Sequence, residues 1–171
     1  MTPEILHQGK FLRLCKRDRW EFAESCVAHG VVGILAETTA GEYVLIEQIR
    51  PPVDGPVIEL PGGLVGDDGA LEPSLEAAQR ELLEETGWGG GQWKSMGTGA
   101  TSPGLTSEKV ELFHARGVEK LAVGGGVHGE EIRTHLVAVS EVRSWLRARR
   151  EEGAMVDFRV LSALWLAESL V

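Results

Sequence analysis

Between Gly66 and Trp88 the chain reads G-D-D-G-A-L-E-P-S-L-E-A-A-Q-R-E-L-L-E-E-T-G-W, which sets Glu81, Glu84 and Glu85 on one side of a predicted helix. Positions i, i+3 and i+4 stack on the same helical face. Like charges that close repel, so an unaided helix gains nothing from them. A hard divalent cation reverses the sign, because Mg2+ takes carboxylate oxygens and keeps waters or substrate phosphates in its other positions. The plainer alternative is a solvated acidic face in which Arg80 bridges Glu76 and Glu84, exposed pairs worth about 0.3–0.5 kcal/mol each. That accounts for Arg80. It does not account for three glutamates crowded on one face of a helix that follows Pro61-Gly62-Gly63. The segment therefore reads as a metal platform for phosphate chemistry.

The spacing is specific. Gly66, Glu72, Arg80, Glu81, Leu82, Glu84, Glu85, Gly87 and Trp88 fill a pattern of glycine, five residues, glutamate, seven residues, then Arg-Glu-apolar-any-Glu-Glu-any-Gly-apolar. This order resembles the Nudix box. Glu59-Leu60-Pro61-Gly62-Gly63-Leu64 resembles the family's lead-in, in which the box glycine follows directly. On that alignment the glycine is Gly63, with three extra residues in the loop before Glu72; by spacing alone it is Gly66.

The length of 171 residues suits one domain with a sizeable core. Seventeen Lys and Arg against 26 Asp and Glu leave a net charge of −9. That balance argues against nonspecific nucleic-acid binding, which depends on neutralising backbone phosphate. Cys15 and Cys26 suggest neither a disulfide framework nor a zinc site, and read as free thiols of a reducing, cytoplasmic setting. No apolar run reaches membrane-spanning length, so no membrane partner is expected.

The pattern predicts an N-terminal hairpin from Lys10–Leu14 and Trp20–Val27, then strands at Val31–Ala36, Tyr43–Gln48, Val57–Leu60, Trp93–Thr98, Val110–Ala115 and Ile132–Val139. A helix over Pro73–Thr86 starts with proline in its first turn and stops at Gly87, with Leu75, Ala78 and Leu82 as its apolar stripe and its glutamates facing a cleft. Val118–Gly129 reads as a mobile glycine-rich loop. Ser140 is the expected cap of a helix to Arg150, and Asp157 of a final helix whose Phe158, Leu161 and Trp165 share one face. The expected fold is α/β (α+β): a single domain over residues 1–171, with a mixed sheet sandwiched between helices and an N-terminal β-hairpin in residues 1–28.

Outside the box, four segments resemble the ADP-ribose pyrophosphatase branch of the family. Gln48-Ile49-Arg50-Pro51 is similar to its Gln-x-Arg-Pro segment, whose arginine contacts substrate phosphates. Arg19-Trp20-Glu21 resembles its adenine-binding hairpin, which is exchanged between subunits and so implies a homodimer. Thr101 to Glu108 resembles its Ser-Pro-Gly loop near the terminal ribose. Glu130, with Glu131 the close alternative, matches the glutamate that acts as general base. Each has a bland counterpart: a solvated arginine, a core tryptophan, a plain Pro-Gly turn, or solvated acids.

The resemblance implies the following assignments. Gly62 (through its carbonyl), Glu81 and Glu85 hold Mg2+, with Mn2+ as the alternative, and Glu84 joins directly or through water. Glu130, Glu84 and Arg80 belong to the catalytic apparatus, Arg80 and Glu72 holding the loop to the helix. Trp20, Glu21, Arg50, Leu64 and Glu108 contact substrate. The implied reaction is hydrolysis of the pyrophosphate bond of a nucleoside diphosphate sugar, ADP-ribose first, a small-molecule nucleotide. Rivals are another nucleotide sugar such as GDP-mannose or ADP-glucose, a nucleotide sensor without turnover, and an RNA-end pyrophosphohydrolase, against which the acidic charge counts.

Overall fold

The computed structural model describes residues 2–27, 29–66, 72–126 and 131–169. Two sheets form. A three-stranded antiparallel sheet holds β1 (Glu4–Gln8), β2 (Leu12–Arg17) and β3 (Trp20–Ser25). The predicted hairpin is thus β2–β3, and β1 adds a strand that the pattern did not suggest. The second sheet contains β4 (Gly30–Thr38), β5 (Glu42–Arg50), β6 (Gly55–Glu59), β7 (Leu64–Val65), β8 (Trp88–Gly89), β9 (Gln92–Ala100), β10 (Lys109–Lys120), β11 (Arg133–Ala138) and β12 (Met155–Val156). Its spine runs β12-β6-β5-β4-β10-β8, with β11 on β5, β7 on β4 and β9 on β10. The β4–β10 and β6–β12 pairs are parallel and the others antiparallel, so the sheet is mixed as expected. The two-residue strands β7, β8 and β12 are too short to leave a period in the sequence.

Alternation along the central strands builds two cores. Val32, Ile34 and Ala36 of β4, Val44 of β5 and Phe113 and Ala115 of β10 pack against Ala77, Ala78 and Leu82 of α1 (Ser74–Thr86). Leu35, Leu45, Val110 and Leu112 face the other way. They meet Val142 and Leu146 of α2 (Val142–Glu151) and Val160, Ala163, Leu164 and Ala167 of α3 (Phe158–Ser169). Successive strand side chains point to opposite faces, so one sheet separates α1 from α2 and α3. Among the described residues no helix is long and apolar enough to cross a membrane.

Several expectations are corrected. The apolar periodicity of α3 is real, but its large residues point outward: Phe158 is 77% and Trp165 66% exposed, while the small Ala163 and Ala167 are buried. Val160 and Leu164 join them beneath the helix, so the buried face is the one opposite Phe158 and Trp165. In α1, Leu75 of the predicted stripe is exposed, and Ala77 takes its place. Ser140 does not cap α2; Glu141 stands at the cap position without a side-chain cap bond. Strand β10 continues through Val118 to Lys120, because Glu119 and Lys120 pair with Gly89 and Trp88 of β8. Asp157 does serve α3, its Oδ1 accepting the Arg159 N–H at 2.7 Å.

Candidate active site

The box helix α1 begins after Pro73, whose carbonyl accepts the Ala77 N–H, and stops at Gly87. Gly87 has φ 70° and donates its N–H to the Leu83 carbonyl, the left-handed stop that glycine adopts without a Cβ penalty. Between these ends the helix presents Arg80, Glu81, Glu84 and Glu85 to the turn that follows β6.

That turn is built for close approach. The carbonyls of Pro61 and Gly63 accept N–H groups from Ile34 and Val32 of β4, at 2.8 and 2.9 Å. The intervening Gly62 turns the other way, its N–H donating to the Glu85 carboxylate at 2.8 Å. The resemblance assigns the carbonyl of this same residue to the metal. A Cβ at Gly62 would fall 2.1 Å from the Val32 carbonyl oxygen, and one at Gly63 2.4 Å from the Glu81 carboxyl carbon. The Gly62 position therefore requires glycine, since its neighbour is backbone, whereas a side chain at Gly63 would displace the Glu81 carboxylate. Gly63 lies beside the Glu81 carboxylate, while Gly66 is the last residue before the segment outside the described residues.

Arg80 ties the parts together. Its Nε and Nη2 each donate to the Glu72 carboxylate at 3.1 Å, and its Nη2 also donates to the Leu64 carbonyl at 3.2 Å. Its Nη1 donates to Glu81 at 2.9 Å and to Glu84 at 3.2 Å. One guanidinium thus joins the loop, β7 and two helix carboxylates. Its bond to Glu72 leads in raising its pKa above the ordinary arginine value, burial opposes the shift and Glu81 adds to it. The cation is permanent, and it balances part of the repulsion among the glutamates. The i,i+4 bridge to Glu84 that the plain surface reading offered is formed, alongside the bonds to Glu72 and Glu81. Glu85 is 6% exposed, so it is a buried carboxylate and not an outward-facing one. A buried carboxylate must be hydrogen-bonded or paired, and the Gly62 N–H supplies one bond.

The donor set suits a hard divalent cation. It consists of carboxylate oxygens and one backbone carbonyl, with no imidazole or thiolate, in a cradle that a Cβ would fill. Among the described residues no three acidic, histidine or cysteine side chains converge to cage an ion by themselves. Mg2+ is commonly held by one or two carboxylates plus waters and substrate oxygens. Glu81, Glu85 and the Gly62 carbonyl would hold it, with Glu84 beside them.

The glycine-rich segment after β10 is anchored to this helix at its near end. Gly125 and Gly126 donate N–H groups to the carbonyls of Glu85 and Glu84, at 2.8 and 3.1 Å. The Lys120 ammonium donates to the Thr86 carbonyl. These donors satisfy the last carbonyls of α1, which have no partner within the helix. The loop expectation is corrected to this extent: residues 121–126 are tied to the box. Glu130 lies outside the described residues, and Glu131 is exposed immediately before β11.

A separate cleft of about 800 Å3 lies between β9, β10, the end of β5 and the first turn of α3. It brings together two predicted substrate residues, Arg50 and Glu108. Sequence reading missed its other charged members, Glu59, Asp157 and Arg159. Glu59 is 4% exposed and accepts from Arg50 Nε and Nη2 at 3.0 and 2.7 Å and from Gln48 at 2.9 Å. The available signal was a lone glutamate within the apolar run Val57-Ile58-Glu59-Leu60. Burial pushes the Asp157 carboxyl up, but hydrogen bonds and charge from Arg159 outweigh that and hold it below the usual range.

Trp20 and Glu21 do not line this cleft. They are exposed on the three-stranded sheet, Trp20 by 55%. That sheet meets the Ser-Pro-Gly loop of its own chain, where the Ala23 N–H donates to the Leu105 carbonyl and the Ser107 N–H to the Ala23 carbonyl.

The sequence profile of the NUDIX domain matches residues 27–158. The chain is 34% identical over 104 residues to a methanol dehydrogenase activator of Bacillus methanolicus, covering 60% of this chain and 54% of that one. It is 35% identical over 94 residues to an ADP-ribose pyrophosphatase of Bacillus subtilis, covering 55% and 48%. It thus spans about half the length of these curated relatives. A crystal structure described as an ADP compounds hydrolase superposes with a TM-score of 0.73 at 19% identity, over 99% of this chain and 91% of that one, and shares the fold. With the profile spanning most of its length and the box glutamates gathered against a glycine turn, the chain belongs to the Nudix family.

Proposed function

We propose that this protein hydrolyses the pyrophosphate bond of a nucleoside diphosphate sugar in a divalent-metal-dependent reaction, with ADP-ribose, cleaved to AMP and ribose 5-phosphate, as the first candidate substrate. The observation that carries the reading is the arrangement at the box: Glu85 bonded to the Gly62 N–H, Glu81 against Gly63, and Arg80 linking Glu81 and Glu84 to Glu72. A bound Mg2+ or Mn2+ supplies charge neutralisation for the diphosphate and a water of lowered pKa. Glu81, Glu85 and the Gly62 carbonyl would hold that ion. Arg80 keeps the helix carboxylates and the loop in register. Arg50, fixed on its Nε edge by buried Glu59, directs its remaining donors at substrate phosphate. Glu130, or Glu131 one position on, accepts the proton of the attacking water. Glu108 and the Leu64 region complete the substrate contacts.

Trp20 and Glu21 read the base from a homodimer partner's hairpin. The support is their exposure and the exposed Ile5, Leu6, Leu12 and Leu14 on the same small sheet. The dimer reading predicts a mass of two chains by light scattering, and a single-chain mass overturns it.

The test of the reaction is product analysis of the purified protein with Mg2+ against ADP-ribose, ADP-glucose, GDP-mannose, NADH and nucleoside triphosphates. Release of AMP from ADP-ribose above the others is expected. Turnover of a different nucleotide sugar keeps the metal chemistry and replaces the substrate. No turnover with nucleotide binding intact transfers the assignment to a sensor.

A further inference from the structure

The 800 Å3 cleft has an apolar floor from Met96, Val110 and Leu112 and a rim of charged groups. Its charges are uneven. Arg50 and Arg159 contribute two positives, and Glu59, Asp157 and Glu108 three negatives, a balance of one negative. A seat for a diphosphate alone would carry the opposite sign. Alternating donors and acceptors over an apolar floor instead suit a neutral polyhydroxylated group, since small-molecule sites are mostly apolar with a few convergent polar groups that fix orientation.

The first turn of α3 supplies two of the pieces. Phe158 lines the cleft yet is 77% exposed, an aromatic face with little protein over it. Arg159 beside it is held rigidly: its Nε and Nη2 both donate to Asp157 Oδ2, at 2.9 and 2.6 Å, and Glu59 lies 3.8 Å beyond. Its Nη1 makes no hydrogen bond among the described residues, and this leaves one edge of a fixed donor fork for a ligand. Buried Glu59 lies between this guanidinium and that of Arg50, so phosphate on Arg50 would adjoin whatever Arg159 holds.

We propose that the first turn of α3 is the sugar-specificity element of the site, with the Phe158 ring covering the apolar face of the substrate's sugar and Arg159 hydrogen-bonding its hydroxyls. This rests on the nucleoside diphosphate sugar reading above. A site that hydrogen-bonds a hydroxyl discriminates strongly against a sugar that lacks it or moves it.

Two measurements test the proposal. The first compares kcat/KM for ADP-ribose with ADP-glucose, which share a base, and for ADP-glucose with GDP-glucose, which share a sugar. In Phe158→Ala and Arg159→Ala the sugar ratio changes about tenfold or more, and the base ratio stays within about twofold. A base ratio that moves in its place, or a sugar ratio unmoved in Phe158→Ala, overturns the proposal. Phe158→Ala keeps this decisive if loss of the Arg159–Asp157 pair impairs folding, because the ring is exposed. The second titrates the protein calorimetrically with ribose 5-phosphate and glucose 1-phosphate, without turnover. Weaker binding to Phe158→Ala supports the assignment even if no nucleotide sugar is hydrolysed, an outcome that would reject the reaction alone. Equal binding to both proteins, or none to the wild type, rejects the α3 turn.

Discussion

Helices α1 and α3 are of similar length and pack on opposite faces of one sheet, yet they serve the site by opposite means. Helix α1 buries small and apolar residues and turns a charged face to the glycine turn, where every acid of the cluster lies against an arginine or a backbone N–H. Helix α3 buries alanines and leaves its largest aromatics outside. Charge at a fixed spacing is a strong signal, because four carboxylates and an arginine have few stable arrangements. Apolar spacing is a weaker one. It announces an amphipathic helix without saying which of two apolar flanks meets the sheet.

The comparison is most sharply tested at Glu85. Glu85→Gln keeps an oxygen for the Gly62 N–H and removes only the charge. The fold, read by circular dichroism, is expected to persist. Metal-dependent turnover should fall by more than the roughly 10–100-fold typical of losing a partner that only supports a ligand. Activity near wild type at saturating Mg2+ would reduce α1 to a structural helix like any other. Glu130→Gln is expected to lower kcat by roughly 10²–10⁴-fold with little change in KM, the usual effect of losing a general base. If Glu131→Gln does this instead, the assignment moves one residue. If neither matters, the base belongs to the box.

Legibility followed the same division. The limits of α1, the Gly87 stop and the glycine turn at Gly62 and Gly63 were readable because spacing and residue type carry them, and the Arg80–Glu72 link because the family resemblance implies it. The burial of Glu85 was not, since a glutamate's partner here is a backbone N–H 23 residues away. Glu59, Asp157 and Arg159 escaped notice because their meeting depends on β6 and β12 pairing across a long separation. Strand β10 outran its predicted end because its last pairs are with β8, two residues long and silent in the pattern. The inversion of α3 has the same origin: the helix has apolar residues on two flanks, Phe158 and Trp165 on one and Val160, Ala163, Leu164 and Ala167 on the other, and only tertiary packing decides which meets the sheet.

Next in size is Arg80→Lys. A lysine keeps the charge but offers a point donor in place of the fork that reaches Glu72, Leu64, Glu81 and Glu84 together. Activity or metal affinity should drop by roughly 10–100-fold, as for other partners that orient a ligand. An unchanged metal titration would mean that the carboxylates hold their places without the arginine.

The smallest effect expected is the most pointed for α3. Trp165 is the largest side chain of that helix, and by sequence periodicity alone its truncation should damage the core. In the structure it stands 66% exposed, so Trp165→Ala should shift unfolding by no more than about 0.5 kcal/mol, the range of ordinary surface substitutions. Leu164, its neighbour, is 9% exposed among Leu35, Val110 and Val160, and Leu164→Ala should cost about 2–5 kcal/mol through lost burial and the cavity left behind. Urea unfolding of the two variants measures the contrast directly. If Trp165→Ala proves the costlier change, the outer face of α3 is covered in solution, and the exposed Phe158 about two turns away must be read as part of that covered surface before it is read as a sugar platform.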